Sequence, residues 1–495
     1  MNKIYFNFVF ILLSLTVSAQ QWSWAMHEPG SYATQMDEDL SSNIYTACGL
    51  STGPDATEIA RLDSTGNAIW SKTITCQVGD LKVGNSHFVI SGNFTGSVTF
   101  DNVTLTSSDM DGFVAYYDLG GNLQWVKQAS GTNQNDIGSI ALNSTDQVLF
   151  AMTNQGATTF DGATFVKGAA FGVLDNSGAL VNNFQVAGNI FYRELKLKTD
   201  ANDNMYLIGG YNDSTLNIGG TTIVCGDRYY GAYFMAKLQK NGTLFWAKDM
   251  GSKYKKTLAN ICVGPSGNFY YTWSNNYISG NLIKASPGGN TLWNHNIASP
   301  MAGEIRDMKI DQHENLTLTG ELSNSGTFGA CTVNGTNYFL FAAQMDSAGN
   351  CYWVKTGQAS DISSGENLSI KNPSHVMVQG WVFSGLTEQL APISVQGTNF
   401  LAKVSLSGSN AIESKASRIE EVAIYPNPSH GNFYVDVKEN VDSRVRVFDL
   451  LGNCVLDKKM RKPKYEIDLG KDAQGIYFVE TETAEKKSLR KIVVE

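Results

Sequence analysis

Charge is what this sequence has least of. Only 17% of its 495 residues are Asp, Glu, Lys or Arg, against about 25% in an ordinary globular protein. The excess is acidic, giving a formal net charge of −9. A protein that grips nucleic acid through its phosphates needs a basic face, so that class of function is excluded. Sustained helical periodicity is also missing, which favours an all-β chain. No internal run reaches 18 apolar residues, so no transmembrane helix is expected. Proline is scarce (10) and glycine abundant (48), as suits many tight turns between strands.

Chemistry is equally sparse. The six histidines, His27, His87, His295, His313, His375 and His430, are scattered. There is no HExxH, no Cys/His cluster, no GxSxG and no Walker loop. Asp109-Met110-Asp111-Gly112 and Asp200 to Asn204 begin like calcium loops, but neither continues with the glutamate an EF-hand requires. Asp311-Gln312-His313-Glu314 reads as a hairpin turn. The expectation is therefore no catalytic residue, no metal and no cofactor. The seven cysteines are odd in number and lack CxxC spacing. They read as mostly free, buried thiols, with one or two disulfides left open.

The first twenty residues do carry information. Lys3 precedes an apolar stretch from Phe8 to Val17, followed by Val17-Ser18-Ala19. This is the pattern of a secretory signal peptide over residues 1–19, with cleavage between Ala19 and Gln20.

The body of the chain repeats. A turn Asp-x-x-Gly-Asn followed by a Trp-x-Lys strand occurs at 62–72 (LDSTGNAIWSK), 117–127 (YDLGGNLQWVK) and 345–355 (MDSAGNCYWVK), with looser copies at 174–184, 238–248 and 285–295. Asp and Asn bond nearby backbone in turns, and Gly takes positive φ without steric cost. Trp on the returning strand suits burial against a neighbouring sheet. Taking Trp24, Trp70, Trp125, Phe184, Trp246, Trp293 and Trp353 as the ruler, successive units are 46, 55, 59, 62, 47 and 60 residues long. The long units contain an extra segment, such as GSVTFDNVTL (96–105), GATTFDGATF (156–165) or STLNIGGTTI (214–223). A period near 50 with four short strands per unit is the mark of a β-propeller blade.

The ends of the array are out of phase. Residues 21–26 match only the Trp strand, and 399–409 match only the strand and turn that precede it. Paired, they complete a seventh blade and leave no open sheet edge. The reading is an all-β chain: a seven-bladed β-propeller over 20–409, a polar linker over 410–420, and a small C-terminal β-sandwich. In periodicity and turn motif the array resembles secreted bacterial seven-bladed propeller repeat proteins.

Composition changes sharply at residue 421. Residues 421–495 hold 13 basic and 13 acidic side chains, leaving 24 basic and 33 acidic residues in the first 420. Four motifs follow in order: Tyr425-Pro426-Asn427-Pro428, the turn Asp449-Leu450-Leu451-Gly452, Gly475-Ile476-Tyr477-Phe478, and a closing basic-then-apolar strand. With these, the segment resembles the type A C-terminal sorting domain of the type IX secretion system of Bacteroidetes-type bacteria. The resemblance implies export to the cell surface or medium through the type IX machinery, and removal of the domain by that machinery's C-terminal signal peptidase.

One loop departs from the acidic background: Lys253, Tyr254, Lys255 and Lys256, preceded by Lys248. It is the candidate ligand-contact loop, suited to an anionic glycan or surface polymer. It and the extra segments are expected on one face of the ring, where recognition loops collect. The favoured function is a monomeric, non-catalytic binding or adhesion module. The alternatives are a secreted polysaccharide hydrolase or lyase, and a structural surface-layer component.

Overall fold

A computed structural model describes residues 21–406 and 422–494, apart from 29–31, 51–54, 192–193, 228, 255, 276–278, 298–302, 358–361, 384–386, 391–392, 397, 438–442, 450–453, 461–463, 471–472 and 483–486. The signal segment with Ala19 and Gln20, the linker, Lys255 and Gly452 lie outside the described residues. The described chain is all strand and turn, in two compact units divided between Leu406 and Ser407.

The first unit is a β-propeller. Its repeats fold as antiparallel four-stranded sheets, each running outward from its first strand. Sheet 1 is Tyr32–Glu38, Ile44–Gly49, Ala56–Leu62 and Ala68–Thr75. Sheet 2 is Gln77–Val83, His87–Phe100, Val103–Asp118 and Leu123–Gly131. Sheet 3 is Asn135–Leu142, Val148–Asn154, Gly168–Leu174 and Leu180–Ala187. Sheet 4 is Lys196–Thr199, Met205–Tyr211, Ala232–Leu238 and Leu244–Ser252. Sheet 5 is Lys256–Val263, Phe269–Asn275, Ser279–Ala285 and Thr291–Asn296. Sheet 6 is Gly303–Ile310, Leu316–Phe328, Cys331–Met345 and Cys351–Thr356. The last sheet orders Ser363–Ser369, His375–Val382 and Asn399–Ser405, with Gln21–Glu28 from the chain's start as its outermost strand. That strand pairs from Gln21 with Ser405 to Glu28 with Asn399. The first strand of each sheet touches that of the next, and Ser363–Ser369 in turn touches Tyr32–Glu38.

The repeated turn and the repeated Trp prove to be two halves of one contact. Asp118 Oδ1 accepts the Asn122 amide at 2.9 Å, and Asn122 returns its side-chain NH2 to Asp118 Oδ2. Asp63 and Asp346 hold Asn67 and Asn350 in the same way. The turn so fixed receives the Trp of the preceding sheet. Trp70 Nε1 donates to Leu119 O at 3.4 Å, Trp125 to Asn176 O at 3.0 Å, Trp246 to Pro287 O at 2.9 Å and Trp293 to Ser347 O at 3.2 Å. Gly121 and Gly178 have φ near +85° and +81°, and a Cβ there would lie 3.0 and 2.8 Å from the Trp70 and Trp125 rings. Glycine is required twice over, by conformation and by the indole above it. The lysine two residues after Trp reinforces the contact: Lys72 reaches Gly121 O, and Lys248 reaches Gly289 O at 2.5 Å.

Two expectations need correction here. Phe184 is not the third unit's counterpart of the Trp: that place is Asn182, whose Nδ2 donates to Lys240 O at 3.0 Å, the carbonyl an indole would use. Phe184 holds the lysine position and packs on Gly242. The Trp rings are also less buried than core residues. Trp70, Trp125, Trp246 and Trp293 are half-buried because they lie on a surface turn, and Trp353, at 5% exposure, is the buried one.

The second unit packs Val422–Tyr425, Asn432–Val437 and Lys464–Asp468 as one sheet. Cys454–Met460, Ser443–Phe448, Gly475–Glu482 and Lys487–Val494 form the other. Phe433, Val435, Val445, Val447, Ile467, Val479 and Ile492 make its core.

Candidate functional site

The extra segments of the long units fold as hairpins, and they do not stay on the loop face. Each lies in the groove between its own sheet and the preceding one. The hairpin Thr158–Phe160 and Ala163–Phe165 pairs with the outermost strand of sheet 2, Phe160 opposite Ala129. Its Asp161 accepts the Leu180 amide at 2.8 Å and binds Lys127 at 2.6 Å. Asp101 does the same in sheet 2, for Leu123 and Lys72. Both tips thus reach the Asp turns, at the end of the sheet away from the hairpin's root. The cause is apolar filling. Phe100 packs with Ile74 of sheet 1 and with Cys76 just after it, Phe160 packs tilted against Phe150 with ring centres 4.6 Å apart, and Leu216 and Ile218 pack with Val186 of sheet 3. In sheet 6 the tip is held covalently by a Cys331–Cys351 disulfide. Cys48, Cys76, Cys225 and Cys262 are free and buried, and Cys454 is free and exposed.

In sheets 1 and 5 the second and third strands are separated by only six and three residues, between Gly49 and Ala56 and between Asn275 and Ser279. Their two grooves differ in kind. In sheet 1's groove Glu28 is only 1% exposed, and Gln379 donates to both its oxygens at 3.1 and 2.9 Å. Burial raises the Glu28 carboxyl to about 7, despite hydrogen bonds from Cys48, Gln379 and Thr46. The folded chain therefore prefers Glu28 protonated. The associated stability is full below the unfolded value near 4.5 and is lost as pH rises through about 7. From pH 5 to pH 8 the unfolding free energy should fall by about 2–3 kcal/mol more than in Glu28→Gln. Urea unfolding at the two pH values checks this, and parallel behaviour of the two proteins would refute it.

In sheet 5's groove a cavity of about 320 Å³ remains, lined by Met250, Tyr271, Trp273, Asn281, Ile283 and Asn294. Met250 comes from the outermost strand of sheet 4 and the rest from sheet 5. By strand pairing, Tyr271 and Trp273 stand where sheet 3 has Phe150 and Met152, and Ile283 and Asn281 stand where it has Gly172 and Ala170. Met250 falls in a register shift of sheet 4's outer strand, beside Gly251, which pairs as Ala129 does in sheet 2. The cavity is thus the place that Phe160 takes in sheet 3. Sequence reasoning missed all six residues. The available signal was the shortness of this unit beside its aromatic run GNFYYTW.

The candidate lysine loop is smaller than its sequence suggests. Lys248 to Ser252 belong to an outer strand and Lys256 begins the next sheet. Lys253 is paired with Glu194, with its ammonium 3.6 Å from the centre of the Phe191 ring. Tyr254 is exposed and packs at 4.5 Å on Tyr230, which meets Tyr229 at 4.7 Å.

The first strands carry charge into the middle of the unit. Asp80 accepts the Ile140 amide of the next sheet at 2.9 Å and pairs with Lys82. Asp307 accepts the Leu368 amide at 3.0 Å and pairs with Lys309 at 2.5 Å. Asp37 accepts the Val83 amide at 2.9 Å and pairs with Lys371 at 2.8 Å. These carboxylates pin one sheet to the next. Lys198 is pushed down to about 8, first by burial and then by Lys82 and Lys309. Glu304, Glu321 and Glu366 surround Arg306, which donates to Glu321 at 3.1 and 2.8 Å. Ser364 also donates to Glu321, and Trp381 to Glu366. Among the described residues no His, Cys, Asp and Glu cluster could hold a metal ion. Asp200 and Asp311, at the head of two candidate sites, each close a turn through Asn204 and Asn315.

In the second unit the motif Tyr425 to Pro428 meets the closing strand. Asn427 Oδ1 accepts the Val493 amide and the Ser429 amide donates to Val493 O, both at 2.9 Å. Lys464 sits over Tyr425 and Tyr434, at 5.1 and 4.5 Å from the ring centres. Residues 423–495 match the family described as the secretion system C-terminal sorting domain. This segment is a C-terminal sorting domain. Gly475, with φ of +135°, opens the sorting domain's central strand, which carries Tyr477, and Asp449 follows the strand Ser443–Phe448.

No curated protein matches the chain. Solved structures with similar architecture include BamB from Moraxella catarrhalis, at 13% identity over 78% of this chain and 100% of that one, TM-score 0.39. The WD40 domain of Toxoplasma gondii coronin matches at 11% identity over 78% and 84%, TM-score 0.40. PorZ, described as a surface component of the type IX secretion system of Porphyromonas gingivalis, matches at 9% identity over 94% and 99%, TM-score 0.17.

Proposed function

We propose that residues 20–409 form a seven-bladed ring closed by the first strand, and that this ring works outside the cell as a non-catalytic binding module. Export is the better supported half. The sorting domain supports secretion or surface display through the type IX machinery. The signal segment ending at Ala19 would bring the chain to the periplasm first, and the C-terminal signal peptidase would remove the sorting domain.

The observation that carries the binding half is the open groove of sheet 5. It is a ready-made concave site on a rigid scaffold, where other sheets are filled by their own chain. The competing hydrolase reading needs a pair of carboxyl groups set across a substrate. In the Glu304, Glu321 and Glu366 cluster, each carboxylate faces Arg306, and two are also tied by Ser364 or Trp381. That arrangement favours a structural role.

The test is retention with product analysis. The purified chain should be held by intact bacterial cells or insoluble surface polysaccharide and should release no new reducing ends. Turnover would make it a hydrolase or lyase. Failure to bind any such surface would remove the binding module.

A further inference from the structure

We infer that the groove between sheets 4 and 5 is a subsite for an uncharged sugar ring, bound by stacking on aromatic faces and by two side-chain amides. This rests on the binding-module reading and names its ligand class.

In sheet 3 the groove floor is Phe150, Met152, Ala170 and Gly172, and the small residues leave depth for Phe160. In sheet 5 the floor is raised. Tyr271 and Trp273 replace Phe150 and Met152, while Ile283 and Asn281 replace Gly172 and Ala170. Larger floor residues compensate for part of the missing hairpin, and about 320 Å³ stays open. That is at the small end of ligand sites, which run from about 300 to 1,000 Å³. It suits a flat ring better than a pair of strands.

The chemistry points the same way. None of the six lining side chains is charged, so neither a phosphate nor a carboxylate is the natural guest. Tyr271 and Trp273 offer apolar ring surface of the kind that covers the C–H face of a sugar. Tyr271, 8% exposed, stacks on Phe269 with ring centres 6.1 Å apart, and Trp273 meets Tyr233 edge-on at 6.0 Å. Both are therefore fixed before any ligand arrives. Asn294 brings one acceptor and two donors, and Asn281, which spends one donor on Trp273 O at 3.4 Å, brings an acceptor and a second donor, together matching vicinal hydroxyls. Hydroxyl recognition by amides also explains why an alanine position of sheet 3 is occupied here by asparagine. In the groove of sheet 1, whose second and third strands are also joined by a short link, Glu28 and Gln379 are buried against each other.

The test titrates the purified full chain with cellohexaose, maltohexaose, xylohexaose and mannohexaose, read by tryptophan fluorescence and calorimetry. A peptide with the sequence of residues 156–165 is titrated in parallel. At least one neutral oligosaccharide should bind, and Asn281→Ala with Asn294→Ala should weaken it by about tenfold or more. The melting temperature should change little, because Asn294 is exposed and Asn281 makes one long bond, to Trp273 O at 3.4 Å. Trp273→Phe should weaken binding while retaining the fold, and Trp125→Phe should leave it unaltered. Sugar binding untouched by the asparagine changes would overturn the subsite and leave the binding module standing. Binding of the peptide alone would make the groove a β-strand acceptor and overturn the sugar. No response to any of the four sugars, with retention on cells preserved, would likewise overturn the ligand class alone.

Discussion

A chain lacking Gln21–Glu28 is expected to lose the natural protein's cooperative unfolding and to aggregate. The deleted strand pairs along its length with Asn399–Ser405. Trp22, 2% exposed, packs with Trp353, Val378 and Phe400, and its indole donates to Thr356 O at 3.2 Å. Glu28 loses Gln379 at the other end. Removal exposes a long apolar edge, which is a template for pairing with other chains. It also opens the ring at the junction where local contacts are joined to distant ones. The point substitution Trp22→Ala isolates the packing and should cost about 3–5 kcal/mol. Urea unfolding with size-exclusion chromatography reads both. An unchanged midpoint in the deletion would mean that the ring does not depend on its first strand.

What could be read in the sequence was whatever repeats locally. The Asp-x-x-Gly-Asn turns are self-contained, each carboxylate satisfying amides two and four residues on, as Asp63 does with Thr65 and Asn67. Their spacing therefore gave the sheets before any contact was known. The partnership of Trp70 with Leu119, 49 residues away, could not be read from either motif alone, and the Trp residues looked like core for that reason. The extra segments were visible as insertions, but their direction was not. It depends on Phe160 meeting Phe150 and on Asp161 meeting Leu180, both outside the hairpin itself. The disulfide was hidden among seven similar cysteines, because the Cys331 and Cys351 pair is set by the hairpin's fold-back. The open groove was the hardest to see. Only three residues separate Asn275 from Ser279, where the long units carry a hairpin, and a missing segment has no motif.

The central claim is that a self-sufficient propeller is carried out of the cell by a separate address. Among the described residues the sorting domain has its own core, from Phe433 to Ile492, and the propeller's core clusters draw on residues up to 406. Deleting 423–495 should therefore leave folding intact while stopping passage across the outer membrane. The direct measurement is fractionation of cells carrying the truncated gene, with a protease digest to confirm that the retained chain is folded. The account predicts protease-resistant propeller in the periplasm and almost none on the surface or in the medium. Surface and medium levels equal to those of the full chain would contradict it.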